Sequence, residues 1–111
     1  MRETKIIIAP VSKKEIVVKS FITGREKREL NALYLREAEN FTEEQKVNGV
    51  RAAILQAVQD LQFKTLIVSV DGKSEDIVNS ILDLQSKDFL FVVDVMNKII
   101  NDESFEEKKT I

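Results

Sequence analysis

Residues 15–30 change period abruptly, and that change constrains the fold more than any other feature of the chain. Glu15-Ile-Val-Val-Lys-Ser-Phe-Ile22 is a β-branched run suited to a half-buried strand. Thr23-Gly-Arg-Glu26 follows at once with capping-box spacing, so the Thr23 hydroxyl can accept from the Glu26 amide while the Glu26 side chain reaches back. A strand must therefore hand over directly to a helix, predicted over about 24–39, with Leu30, Leu33, Tyr34 and Ala38 on its core face.

The other segments are read against that junction. Residues 5–9 form a second β-branched run, ended by Pro10 and the polar Ser12-Lys13-Lys14, so 5–9 and 15–22 predict a β-hairpin. Two strands alone are marginal in water and need a further layer. Thr42-Glu-Glu-Gln45 is a second capping box, predicting a helix to about Leu61 with Val47, Val50, Ile54, Ala57, Val58 and Leu61 on one stripe. Gly49 falls on the opposite face of that helix, at a cost of about 1 kcal/mol relative to alanine. Phe63–Val70 reads as a third strand ending at the Asp71-Gly72 turn, with a short buried helix as the competing reading.

Ser74 can cap a helix over 75–84 with Ile77, Val78, Ile81 and Leu82 inward. Ser86 can open a last one over about 87–101. Its segment Asp88–Val95 fits either a strand or a helix, and the length of the pattern favours helix, with Phe89, Val92, Val93, Met96 and Ile100 as the stripe. The expectation is a helix-rich α+β domain over 1–102, with an N-terminal hairpin, about four helices and a polar tail over 103–111 that frays.

Apolar residues make up 43% and charged residues 32% of the 111, enough for one core without staples. There is no cysteine and no histidine, which removes thiolate and imidazole chemistry. Asp71 and Asp76 flank a turn, but Asp71-Gly-Lys-Ser-Glu-Asp76 lacks the alternating oxygen ligands of a calcium loop, and turn and helix-start chemistry explain it. Gly72-Lys73-Ser74 echoes the end of a phosphate loop, yet Ile67 stands where that motif requires its first glycine. No catalytic residue, cofactor or metal is expected.

Net charge is −2 with basic and acidic residues mixed, which makes a nucleic-acid partner unlikely on composition. The apolar runs are far shorter than the roughly 20 residues of a membrane span. The N-terminus does not read as a signal peptide, and a cytoplasmic protein is expected. The apolar residues off the core stripes are Leu35, Phe91 and Val95, which mark either a helix buried all round or a surface awaiting a partner.

Three segments resemble the tail assembly chaperones of long, flexible-tailed bacteriophages. They are Lys14-Glu15-Ile16-Val17-Val18-Lys19-Ser20-Phe21-Ile22-Thr23-Gly24-Arg25-Glu26, Val68-Ser69-Val70-Asp71-Gly72-Lys73-Ser74-Glu75-Asp76-Ile77, and Ile81-Leu82-Asp83-Leu84 with Asp88-Phe89, Val92-Val93 and Asn97-Lys98-Ile99. One departure is Gln85-Ser86-Lys87, in place of a proline after Leu84. The resemblance implies a non-enzymatic protein that binds the hydrophobic tape-measure protein during tail morphogenesis. Such a protein acts in the host cytoplasm, is absent from the mature virion and forms homo-oligomers. It also implies a longer form made by frameshifting, for which Lys108-Lys109 is the candidate site. Self-association is expected through the last helix, at Phe91 and Val95. The alternative is a small nucleic-acid-binding or regulatory factor using the Arg25/Lys27/Arg28 face, whose field Glu26 and Glu29 partly cancel.

Overall fold

The structure, a computed structural model, describes residues 3–39, 51–105 and 107. The fold is α+β: among the described residues there is a three-stranded antiparallel sheet of order β1-β2-β3, with four helices. β1 (Thr4–Ile8) and β2 (Glu15–Lys19) make the expected hairpin, pairing Ile6 with Val17 and Ile7 with Ile16. Its loop closes through Lys13 N–H to Ala9 carbonyl and Ala9 N–H to Lys14 carbonyl bonds, both 3.0 Å, with Lys13 left-handed at φ 61°.

Side-chain alternation then sorts the sheet into two faces. Ile7, Ile16, Val18, Ile67 and Val70 are buried, while Ile6, Ile8 and Val17 lie half-buried on the other face. The buried side packs with Phe63, Ile81, Val92, Met96 and Ile99 into one core cluster.

α1 (Gly24–Glu39) starts where its cap requires. Thr23 N–H donates to Glu26 Oε1 at 3.0 Å, and Glu26 N–H donates to Thr23 Oγ1 at 3.2 Å. Leu30 is buried and Leu33 half-buried, but Tyr34 is exposed, so the inward stripe of α1 ends sooner than its spacing suggests. The side chain of Ala38, the capping box at 42–45, Val47, Gly49, Val50 and Lys108-Lys109 lie outside the described residues.

α2 (Arg51–Leu66) runs five residues beyond the expected end at Leu61, and β3 (Ile67–Val70) is correspondingly shorter than the 63–70 strand. Phe63 and Leu66, three residues apart, lie on one face of a helix and both are fully buried; as strand residues they would point to opposite faces. β3 pairs with β2 through Ile16–Val70, Val17–Ser69 and Val18–Ile67, so Val68 is the extra residue of a bulge. After β3, Asp71 (φ 52°) and Gly72 (φ 86°) are both left-handed, the requirement of a type I′ turn, and Val70 and Lys73 exchange hydrogen bonds of 2.8 and 3.0 Å across it.

α3 (Ile77–Leu82) is shorter than expected, with Ile81 buried and Leu82 exposed instead of inward. α4 (Ser86–Ile100) settles the ambiguous 88–95 segment as helix. It ends in a Schellman motif: Glu103 N–H donates to Lys98 carbonyl at 2.7 Å and Asp102 N–H to Ile99 carbonyl at 3.2 Å, with Asp102 left-handed at φ 58°. The first residues of the polar tail are therefore held. Phe105 packs against the core, and the Lys5 ammonium lies 5.0 Å from its ring centroid.

Candidate functional site

The three off-stripe residues have different fates. Leu35 is 60% exposed on α1. Val95 is 3% exposed and belongs to the core, and Phe91 is half-buried against that core. The expectation that Phe91 and Val95 share a face turned away from the core is corrected on this point, and the ground for placing self-association on the last helix goes with it.

The cause is the rotation of α4. Its buried residues are Asp88, Val92, Val95, Met96 and Ile99, a stripe turned by about one residue from the expected one. Leu90 is the side chain that ends up outside, at 60% exposure.

Asp88 explains that rotation, and sequence reasoning gave it no role. Its residue is fully buried, yet the carboxylate is satisfied: Val11 N–H donates to Oδ1 at 2.8 Å and Ser12 N–H to Oδ2 at 3.0 Å. The last helix is thereby tied to the tip of the β1–β2 hairpin. Burial pushes the Asp88 carboxyl up, but the Val11 amide, the hydroxyl and amide of Ser12 and the nearby Lys13 charge outweigh it and hold the group below the usual carboxylate value. With both oxygens occupied, Asp88 is a structural tie. The one sequence hint was an acid in the first turn of a helix, where the dipole alone would suffice to explain it.

Large apolar side chains left outside include Val11, Phe21, Val68, Leu82 and Leu90 elsewhere in the fold, and three on the helical pair. α1 and α2 pack on each other, and Tyr34, Leu35 and Leu55 are 39%, 60% and 54% exposed. Leu35 lies near the C-terminal end of α1 and Leu55 near the N-terminal end of α2. Scattered single leucines on a surface mean little; the three on paired helices are the candidates for holding another apolar helix.

The basic cluster is placed less favourably for an anion. Arg25 and Arg28 are exposed, while Lys27 lies 4.0 Å from Asp102, and Glu26 next to it pairs with Lys19 at 3.6 Å. Residues 72–76 line an open, polar concavity with Ser80, and Asn79 Nδ2 donates to Asp76 Oδ1 at 2.9 Å. Among the described residues no group of three or more acidic side chains could hold a metal ion, and no helix is long and apolar enough to cross a membrane. Compared with protein families, with characterised proteins and with solved structures, the chain matches none.

Proposed function

We propose that this chain is a tail assembly chaperone of a long-tailed bacteriophage, which acts without catalysis in the host cytoplasm by binding the hydrophobic tape-measure protein. The observation that carries the reading is the exposure of the apolar side chains Tyr34, Leu35 and Leu55 on the α1–α2 pair. An extended, helical and apolar partner is the chemistry that such a surface fits, because apolar side chains at i, i+3 and i+4 spacing dock into apolar helical surfaces. The three segments that resemble the chaperone family point to the tape-measure protein as that partner. The neutralised setting of Lys27 and Glu26 favours this reading over a nucleic-acid factor, since phosphate binding needs uncompensated positive charge.

The test is co-expression with the product of the long helical reading frame expected beside this gene in a phage genome. The chain is expected to keep that product soluble and to co-purify with it. Leu35→Asp with Leu55→Asp is expected to abolish co-purification while leaving the circular dichroism spectrum unchanged, because substitutions at exposed sites usually shift stability by no more than about 0.5 kcal/mol. Full co-purification by the double variant, or none by the wild type, would refute the proposal.

A further inference from the structure

β1 is an outer strand of the sheet. Two hydrogen bonds of 3.0 Å, Ser20 N–H to Glu3 carbonyl and Ala9 N–H to Lys14 carbonyl, bracket its ladder with β2. Hydrogen-bonded and non-bonded pairs alternate along an antiparallel ladder, so Lys5 and Ile7 turn their backbone groups toward β2. Those of Thr4, Ile6 and Ile8 face away, and among the described residues no further strand receives them. The side chains of the same three residues lie on the face of the sheet opposite the buried Ile7, Ile16 and Val18, where Ile6 pairs with Val17.

Exposed edges are ordinarily blunted by charge, proline or bulges. Here the bulge is in β3, at the far side of the sheet. The one charged side chain inside β1, Lys5, is drawn over the Phe105 ring on the core side. The edge itself is Thr-Lys-Ile-Ile-Ile, β-branched at four of five positions and without proline.

We propose that two copies of this chain pair edge to edge through β1, antiparallel about a two-fold axis at Ile6. Charge and symmetry select the register. About Ile6, Thr4 of one copy meets Ile8 of the other, Ile6 meets Ile6, and every outward-facing backbone group of the strand finds a partner. Moving the axis to Lys5 sets two lysines directly opposite each other, an arrangement that destabilises a strand pair. Moving it to Ile7 leaves Thr4 unpaired. In the Ile6 register each row on the outer face reads Glu15 and Ile8 from one copy, then Thr4 and Lys19 from the other, so an acid closes one end and a base the other. The result is a continuous six-stranded sheet.

This pairing rests on the sheet edge and stands apart from the tape-measure reading: a monomer could still bind that partner, and a dimer need not. Two five-residue edges bury less than the roughly 1,200 Å² of a stable complex, so the dimer depends on concentration.

Sedimentation velocity of the full chain, raised toward roughly 1 mM to populate so small an interface, is expected to approach twice the 12.7 kDa chain mass. Ile6→Pro is expected to stay at 12.7 kDa with an unchanged far-ultraviolet spectrum, since the N–H that proline lacks points away from β2. A second measurement does not depend on that variant folding. The chain has no cysteine, so Ile6→Cys places a single thiol at the axis, where paired Cα atoms about 5.5 Å apart are within disulfide reach. Mild oxidation is expected to give a covalent dimer from Ile6→Cys and none from Val17→Cys, one strand further in on the same face. A wild type that remains at 12.7 kDa throughout, a dimer formed equally by folded Ile6→Pro, or equal cross-linking at positions 6 and 17 would overturn the proposal.

Discussion

Truncating Phe63 to alanine tests the packing of the core and the end of α2 together. The side chain is fully buried, and its ring meets that of Phe89 edge-on, with centroids 6.0 Å apart and planes at 80°. Removing a buried phenylalanine side chain costs about 3–5 kcal/mol, through lost transfer energy and the cavity left behind. The edge-to-face pair accounts for about 0.5–1.5 kcal/mol of that. Domains of this size are stable by roughly 5–15 kcal/mol, so Phe63→Ala removes a large part of the total. In urea, with a slope near 1.5 kcal/mol/M, a loss of about 4 kcal/mol lowers the midpoint by about 2–3 M. The assay is equilibrium unfolding followed by circular dichroism, run also on Phe89→Ala and on the double variant. The double variant is expected to lose about 0.5–1.5 kcal/mol less than the two single losses added together. A Phe63→Ala loss under about 1 kcal/mol would refute the buried helical placement, and strict additivity would refute the ring contact.

Two further outcomes follow from the hydrogen bonds. Thr23→Ala removes the cap of α1 and is expected to cost about 0.5–2 kcal/mol, read as a lower urea midpoint; no loss would mean that the cap is idle in solution. Asp88→Asn sets an amide NH₂ against one of two donated backbone N–H groups and is expected to lower the melting temperature at pH 7. Because the folded Asp88 pKa lies below the unfolded value of about 3.9, its contribution is fully present above that value and is lost as pH falls through the folded pKa. The gap in melting temperature between wild type and Asp88→Asn is therefore expected to be constant above about pH 5 and to close below about pH 4; a gap unchanged at low pH would contradict an ionised Asp88.

What the sequence made legible was local. The start of α1 could be read because Thr23 and Glu26 satisfy each other within one turn, with no help from the rest of the chain. The hairpin was legible because Pro10 and the polar loop separate two β-branched runs. The end of α2 was not, because Phe63-Lys-Thr-Leu66 fits the period of either element and only the position of the core decides between them. The rotation of α4 was hidden for a related reason. Val92, Val93, Val95, Met96, Ile99 and Ile100 spread apolar groups around much of the helix, so periodicity could not choose a face. The choice falls to Asp88, whose partners on the hairpin loop lie 77 and 76 residues away in sequence. Of the three side chains offered as an interaction surface, Leu35 is exposed, Phe91 half-buried and Val95 buried; the exposed Leu55 on α2 and the place of β1 at the outside of the sheet formed by the described residues had no sequence signal separate from ordinary amphipathic and β-branched composition.

The tie between Asp88 and the hairpin loop also orders events in time. The first strands leave the ribosome before the group that fixes their turn, which follows its two partners in the loop by 77 and 76 residues. Until α4 emerges, the sheet lacks the helix that covers its buried face, and Ile7, Ile16 and Val18 have no Val92, Met96 or Ile99 to pack against. A nascent chain stopped before Ser86 therefore holds a hairpin without its clasp, and commitment to the fold waits for α4. The same arrangement leaves a product cut short before Ser86 without either the clasp on its hairpin loop or the cover of its sheet.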